Sequence, residues 1–471
     1  MLSNNQIHNI FFLGIGGIGM SALARYFHRS GVPVSGYDRT PSALTKELEA
    51  EGIPITYTDT PEYIQSLGLV AQDTLVVRTP AVPEDNAIYT WLRVQGFDIR
   101  KRSEVLGLVT RAKKALCVAG THGKTTTSTM IAHLLATHGG VNAFLGGISM
   151  NYNTNVLIEP KSDYVVVEAD EYDRSFHRLN PFISVITAVD PDHLDIYGTA
   201  AAYREAFEYY TGLISGALVI KQGLPITPRL QPGVKMYTYS GEWTPADNAS
   251  RPDFYASNIR VADGTITFDF NTPEGVVADV RLGVPVWVNI ENAVAAMSVA
   301  CLCGADASCL QDAMASFRGV QRRFNIHVNT AKVVYVDDYA HHPQEIATSI
   351  SSVRKVYPDR KLIGVFQPHL YTRTRDFADG FAQVLSTLDE CVLLPIYPAR
   401  ELPIPGVTSR MLQERIATTD CDVCVVEKNE LAEHLRQRVQ ESAGAVVVMT
   451  IGAGDIDRLV PAVTAALSEN K

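Results

Sequence analysis

Residues 115–127 read ALCVAGTHGKTTT, an apolar strand that runs directly into a loop of glycines, a lysine and threonines. Backbone amides and a lysine in such a loop can contact phosphate oxygens, and the first threonine hydroxyl can bind Mg2+. Helical spacing follows from Ser128 to Ala136, so the stretch predicts the start of a βαβ unit. The loop is shorter than the usual GxxxxGK[ST] motif, whose first glycine would fall at Val118. The phosphate-binding positions are Gly120, Gly123, Lys124 and Thr125.

A second glycine-rich loop follows the apolar run Asn9 to Leu13, and Asp38 follows the next predicted strand, Val34 to Tyr37. Glycines in this pattern let a backbone approach a pyrophosphate held at a helix N-terminus. The pattern fits a nicotinamide-dependent oxidoreductase, in which the acid holds a ribose hydroxyl, and it fits a UDP-sugar equally well. The loop therefore predicts phosphate binding and leaves the ligand open. Its glycines are Gly14, Gly16, Gly17 and Gly19.

The length of 471 residues and a third alternation of strands and helices after Arg323 predict an α/β protein of three domains. We place the domains at residues 1–110, 111–322 and 323–471. A net charge of −10 disfavours a nucleic-acid partner, because such partners require clustered cations. No apolar run is long enough to span a membrane as a helix, and no signal peptide is evident. With seven cysteines in so long a chain, a cytoplasmic location is expected.

Acidic and histidine residues follow two further predicted strands. The sequence EADE, residues 168–171, follows Tyr164 to Val167, where a carboxylate beside a phosphate loop is typical of a metal ligand. His193 lies among the acids Asp192 and Asp195 after a predicted strand, Ser184 to Val189. A solvated acidic turn and a structural histidine are the alternatives.

Two strands of the third domain also end in polar clusters: DDYAHHP at residues 337–343 and QPHLYTRT at residues 367–374. Ligands of open α/β sheets collect beyond the carboxyl ends of the strands, so both clusters predict functional loops. Arg373 could clamp a carboxylate. The alternative for the first cluster is a helix cap with surface histidines.

In this order, the segments GIGGIGMSALA, GTHGKTTT, EADEYDRSF, DPDHLD, DDYAHHP and QPHLYTRT resemble the Mur ligase family over nearly the whole chain. The resemblance implies an N-terminal Rossmann-like domain for a UDP-sugar, a central P-loop ATPase-like domain with a mostly parallel sheet, and a C-terminal Rossmann-like domain for the amino acid. It also implies ATP-dependent ligation of L-alanine to the lactyl carboxylate of UDP-N-acetylmuramate through an acyl phosphate. The products would be ADP, phosphate and a peptidoglycan precursor.

The resemblance also implies roles for individual residues. Three are expected to be catalytic: Lys124, His193 and Arg373. Mg2+ ligands would be Thr125, Glu168 and His193. ATP contacts would be Gly120, Thr121, His122, Gly123, Lys124, Thr125, Thr126, Asn289, Asn292, Arg323 and Asp338. The UDP-sugar would contact Gly14, Gly16, Gly17, Gly19, Asp38, Thr79 and Arg102. The amino acid would contact Tyr339, His341, His369 and Arg373.

Two positions depart from the family pattern: Val288 stands where many relatives carry histidine, and Leu370 where a basic residue is common. The base that deprotonates the amine stays open among His341, His342 and Asp338. Within the family, the alternative activity is attachment of a tripeptide to the same UDP-sugar in cell-wall recycling. Outside it, the alternatives are the oxidoreductase and a nucleotide-gated binding protein. A monomer or weak homodimer is expected.

Overall fold

The computed structural model describes residues 7–245, 250–262, 264–399, 401–417 and 419–468, and the side chain of Asp195 lies outside the described part. The chain is an α/β protein with three sheets, which confirms the predicted fold class. It divides into two compact units: residues 1–257, 269–280 and 291–317 form the first, and the remainder forms the second. None of the described helices combines the length and apolar character that a membrane span requires.

The first sheet has five parallel strands in the order β3-β2-β1-β4-β5. Its central strand β1 is buried on both faces, because Ile10 and Phe12 pack into one core and Phe11 and Leu13 into another. The strands are β1 (Asn9–Leu13), β2 (Val34–Tyr37), β3 (Ile55–Thr56), β4 (Thr74–Arg78) and β5 (Asp98–Lys101). The helices are α1 (Ile18–Arg29), α2 (Ala43–Ala50), α3 (Glu62–Ser66), α4 (Ala87–Val94) and α5 (Arg102–Ala112).

The second sheet has ten strands in the order β15-β14-β13-β12-β11-β10-β6-β9-β7-β8. The pairings from β13 through to β7 are parallel, and β8 is antiparallel to β7. The strands are β6 (Lys114–Ala119), β7 (Asn142–Ser149), β8 (Thr154–Leu157), β9 (Tyr164–Ala169), β10 (Pro181–Ile186), β11 (Ala217–Lys221), β12 (Lys235–Ser240), β13 (Phe254–Ala262), β14 (Thr265–Thr272) and β15 (Gly275–Arg281). The helices are α6 (Lys124–His138), α7 (Leu194–Tyr197), α8 (Ala200–Thr211), α9 (Val288–Leu302) and α10 (Ala307–Ser316), and Tyr172–Arg178 forms a 3₁₀ segment.

The third sheet has six strands in the order β16-β17-β21-β18-β19-β20, and only the β16 pairing is antiparallel. The strands are β16 (Asn325–Asn329), β17 (Val333–Asp338), β18 (Lys361–Phe366), β19 (Glu390–Leu393), β20 (Asp422–Val425) and β21 (Val446–Ile451). The helices are α11 (Pro343–Val356), α12 (Tyr371–Asp376), α13 (Ala378–Leu385), α14 (Ser409–Ile416), α15 (Leu431–Glu441) and α16 (Val460–Ser468), with a 3₁₀ segment at Asp455–Leu459.

One strand boundary differs from the prediction in a way that matters for the site. The strand predicted at Ser184 to Val189 is β10, which ends at Ile186. Beyond it, the Thr187 hydroxyl lies within hydrogen-bonding distance of the carbonyls of Ala119 and His122, to one of which it donates. The residues predicted to continue the strand therefore form a wall of the phosphate loop.

Candidate active site

The loop after β6 is built at a switch in strand order, because β6 lies between β9 and β10. Gly120 has φ +136°, and a Cβ there would collide with the Thr187 hydroxyl. Gly123 has φ +80°, and a Cβ would lie 2.8 Å from Asn292 Oδ1. Both positions therefore need glycine. The loop leaves the backbone amides at the start of α6 without intrahelical acceptors, which is the usual setting for a bound phosphate.

Other loop residues are tied to the neighbouring strand end. The Thr121 amide donates to the Ala188 carbonyl at 3.1 Å, and its hydroxyl donates to the Asp190 carbonyl at 2.7 Å. His122 Nε2 lies 3.7 Å from an oxygen of Asp190. Thr125 and Thr126 occupy the first turn of α6. The loop is thus preformed by its own chain.

Lys124, the predicted catalytic lysine, forms an ion pair with Glu171. Its Nζ lies 2.7 Å from the Gly120 carbonyl and 2.9 and 2.8 Å from the two carboxylate oxygens of Glu171. Glu171 is 1% exposed; burial raises the pKa of its carboxyl, and the ammonium of Lys124 opposes that effect. The sequence analysis assigned no role to Glu171, although it lies in the EADE segment.

The predicted metal ligand Glu168 faces a cleft of about 360 Å³. It lies inside β9 and packs against Gly146 of the adjacent strand β7, where a Cβ would collide with the carboxylate. The cleft joins this carboxylate to the first glycine loop, since its lining includes Gly17, Gly19, Thr79, Arg102 and Glu168.

His193 lies at the start of the four-residue helix α7 with φ +52°, and its ring meets that of Tyr172 edge-to-face at 5.1 Å. The described residues contain no group of three or more His, Cys, Asp or Glu side chains that could hold a metal. Mg2+ commonly binds through one or two protein carboxylates together with waters and substrate phosphates. A single carboxylate at the cleft beside a phosphate loop fits that mode of binding.

The first glycine loop also lies at a switch point, because β1 is flanked by β2 and β4. Asp38, after β2, accepts hydrogen bonds from the amides of Gly16 and Arg39, both at 2.7 Å. Thr79, after β4, packs so closely on Gly14 that a Cβ there would collide with its methyl group. Asp38 therefore braces the loop.

Residues predicted to contact ATP are distributed over both units. In the first, the Asn292 side chain accepts a hydrogen bond from Thr127 at 3.2 Å, directly behind the phosphate loop. In the second, the side-chain amide of Asn289 donates to the Val284 carbonyl at 3.3 Å. Asp338, also in the second unit, is 7% exposed and accepts a hydrogen bond from the Ser349 hydroxyl.

The residues predicted to bind the amino acid come together in the second unit. The Arg373 guanidinium donates to His369 Nδ1 at 3.3 Å, and the His369 ring stacks on Tyr397 at 5.7 Å. The His341 ring lies 5.4 Å from Tyr339 and 6.5 Å from His369. The Arg323 guanidinium lies over the Tyr339 ring at 5.2 Å, so a cationic edge borders the cluster.

Burial and the nearby cations keep both histidines neutral at pH 7. Burial, followed by Arg373 and His341, lowers the pKa of His369 to about 4. Burial also lowers the pKa of His341. Its Nδ1 lies 3.1 Å from the Tyr339 carbonyl, which can only accept, so the neutral ring carries its proton on Nδ1. The lone pair is therefore on Nε2.

His342 has a different role from its neighbour. It is the N-cap residue of α11, and its Nδ1 accepts a hydrogen bond from the Gln344 amide at 3.4 Å. A helix cap does lie in this segment, but the half-buried His342 forms it rather than an aspartate, because α11 begins at Pro343 and its first amides need acceptors. Gly146 was missed because only the pairing of β7 with β9 brings it to Glu168, and Glu171 because its contact with Lys124 depends on the turn after β9.

Comparison with known proteins gives matches along most of the chain. Three family models match: the Mur ligase family catalytic domain at residues 9–114, the Mur ligase middle domain at 118–300, and the Mur ligase glutamate ligase domain at 322–454. A UDP-N-acetylmuramate–L-alanine ligase of Phocaeicola vulgatus is 53% identical, with 99% of each chain covered.

Solved structures are similar as well. The crystal structure of a UDP-N-acetylmuramate-alanine ligase from Thermotoga maritima aligns with a TM-score of 0.77 at 27% identity, covering 98% of this chain and all of that one. A murein peptide ligase from Psychrobacter arcticus aligns with a TM-score of 0.63 at 22% identity and 98% coverage of both chains. The second likeness concerns the fold alone.

Proposed function

Since the chain belongs to the Mur ligase family, we propose that it joins L-alanine to the lactyl carboxylate of UDP-N-acetylmuramate, converting ATP to ADP and phosphate. The full-length identity of 53% to an enzyme of that name carries the choice of substrates. The likeness to a murein peptide ligase is far weaker, at 22% identity, so tripeptide attachment is not favoured. The oxidoreductase alternative does not account for the phosphate loop after β6.

The cleft between the first glycine loop and Glu168 supports this function. A UDP-sugar with its pyrophosphate at Gly14, Gly16, Gly17 and Gly19 can extend along the cleft, which reaches Glu168. Asp38, Thr79 and Arg102 would complete its contacts. The lactyl carboxylate would then lie near the nucleotide phosphates held by Gly120, Thr121, His122, Gly123, Lys124, Thr125 and Thr126.

A carboxylate is a poor electrophile, so its oxygen first attacks the γ-phosphorus of ATP and ADP departs. Lys124 is placed to neutralise charge on the transferred phosphoryl group. Thr125, Glu168 and His193 would hold Mg2+, which supplies charge neutralisation on the phosphates when bound. Asn289, Asn292, Arg323 and Asp338 are proposed as further ATP contacts.

In the second step the alanine amine attacks the acyl carbon and phosphate leaves. Arg373 would clamp the alanine carboxylate, and Tyr339 and His369 would line its site. The amine must lose a proton, and the neutral His341 with its lone pair on Nε2 is suited to accept it. Holding both reactants in place removes the entropy of encounter. We also propose the domain boundaries near residues 110 and 323, a cytoplasmic location, and a monomer or weak homodimer.

The test is phosphate release by the purified protein with ATP, Mg2+ and UDP-N-acetylmuramate, with and without L-alanine. Alanine-dependent release is expected, and Lys124→Ala should abolish it while the matched surface variant Lys161→Ala should not. Release with the tripeptide but not with alanine would move the assignment to the recycling activity. The absence of phosphate release with every acceptor would contradict a ligase function.

A further inference from the structure

The ammonium of Lys124 has no hydrogen-bond donor left over in this structure. A lysine carries three N–H donors, and Lys124 has three oxygens within 2.9 Å: the Gly120 carbonyl and both carboxylate oxygens of Glu171. The side chains of Lys124 and Glu171 are 16% and 2% exposed. The pair is thus largely withdrawn from water, and its charges cancel at the place where a nucleotide phosphate would lie.

The chain after Glu171 holds this carboxylate inward. The Glu171 carbonyl accepts hydrogen bonds from the Arg174 amide at 2.9 Å and from the Tyr197 hydroxyl. Two residues further along the chain, Asp173 and Arg174 have φ of +52° and +53°. Consecutive left-handed residues other than glycine are costly and persist only where surrounding contacts enforce them. The turn therefore fixes the backbone of Glu171, from which its buried carboxylate reaches Lys124.

A phosphate that binds to Lys124 must take a donor from Glu171 and then lie close to a buried negative charge. Removing a lysine from a buried carboxylate is unfavourable, because the carboxylate is left without its counter-charge. The pair therefore opposes nucleotide binding while it keeps the ammonium in the loop.

We propose that Glu171 is a positioning residue that holds Lys124 in the phosphate loop and weakens nucleotide binding through competition with the terminal phosphates. The proposal rests on the proposed function only in taking ATP as the nucleotide. Glu171 competes for the ammonium again once the phosphoryl group has been transferred, which favours the release of ADP.

The experiment measures the Kd of Mg·ADP and of a non-hydrolysable Mg·ATP analogue by calorimetry, without acceptor substrates, together with kcat and KM in the complete reaction. Glu171→Gln should bind both nucleotides roughly tenfold more tightly, because it removes one like charge that competes with the phosphate for Lys124 at a partly shielded site. Its kcat should fall, because the ammonium is less well held. Asp163→Asn, which removes an exposed charge of the same unit, is the matched control and should change neither the nucleotide Kd nor kcat.

An unchanged or weaker nucleotide affinity in folded Glu171→Gln would overturn the proposal, since a merely structural glutamate would weaken binding when replaced. Circular dichroism establishes that the variant is folded. If it does not fold, Glu171→Asp decides: withdrawing the carboxylate by one methylene should tighten binding about threefold, and no tightening would overturn the proposal. Because nucleotide binding is measured without alanine, the comparison of Kd values can be interpreted even if the protein does not catalyse the alanine reaction.

Discussion

Replacing Arg373 by methionine tests the amino-acid site through two quantities that the structure links. The guanidinium donates to His369 Nδ1 at 3.3 Å and is the second cause, after burial, of the pKa of about 4 at His369. Methionine keeps much of the apolar stem and removes the charge. We expect the KM for alanine to rise and the pKa of His369 to rise with it.

The magnitudes follow from these contacts. A charge-assisted pair with the alanine carboxylate is worth about 2–3 kcal/mol, so its loss should raise the KM for alanine by roughly a hundredfold. The pKa of His369 should rise, because one nearby cation is lost, and stay below that of an exposed histidine, because burial persists. His369 thus remains neutral at pH 7, and the loss of activity reports the missing anchor rather than a protonated ring.

The assay is phosphate release over an alanine titration at saturating ATP and UDP-N-acetylmuramate, with an NMR pH titration of the histidine rings assigned through His369→Asn. Arg375→Met is the matched control, because Arg375 is 54% exposed and pairs with Asp376. A KM for alanine within about threefold of wild type, or an unchanged pKa of His369, would refute the reasoning.

Three further predictions concern other parts of the molecule. Burial raises the pKa of Asp337 to about 6, so the ionised form is disfavoured in the fold and stability is lost as pH rises from 3.8 through 6. Asp337→Asn keeps an acceptor for the Thr450 hydroxyl. It should raise the free energy of unfolding by up to about 3 kcal/mol at pH 8 and change it little at pH 4. Equal effects in denaturant titrations at both pH values would contradict this prediction. Gly146→Ala should push the Glu168 carboxylate out of place and raise the Mg2+ concentration for half-maximal activity about fivefold or more, and an unchanged Mg2+ titration would argue against Glu168 as a ligand. Glu390 is 1% exposed, and its carboxylate lies 2.6 Å from Arg438 and 2.8 Å from Lys361. Glu390→Gln should lower the free energy of unfolding by about 2–4 kcal/mol in chemical denaturation and leave kcat unchanged. A loss below about 1 kcal/mol would show that solvent screens the cluster.

The features that follow from short-range pattern were predictable from the sequence. Both glycine loops lie where predicted, after β1 and β6, because an apolar run that ends in glycines indicates a buried parallel strand turning into a helix. The strands Val34–Tyr37 and Val446–Ile451 have the predicted bounds. The three-domain Mur ligase architecture is confirmed as well, whereas the roles of the individual site residues stay predictions.

Features that depend on strand pairing or on competition for hydrogen bonds could not be predicted. Gly146 meets Glu168 because β7 pairs with β9, and no local pattern reveals that pairing. Glu171, rather than Glu168, pairs with Lys124, which depends on how the chain turns after β9. His342 caps α11, whereas the His341 ring lies beside those of Tyr339 and His369. The sequence HH does not distinguish the two.

The contact between Thr127 and Asn292 joins residues 165 positions apart. At a synthesis rate of roughly 5–20 residues per second, the ribosome makes the asparagine roughly 8 to 33 seconds after the loop. During that interval the phosphate loop of the growing chain lacks its contact with Asn292. The set of contacts behind the loop is therefore complete only once α9 has been synthesised.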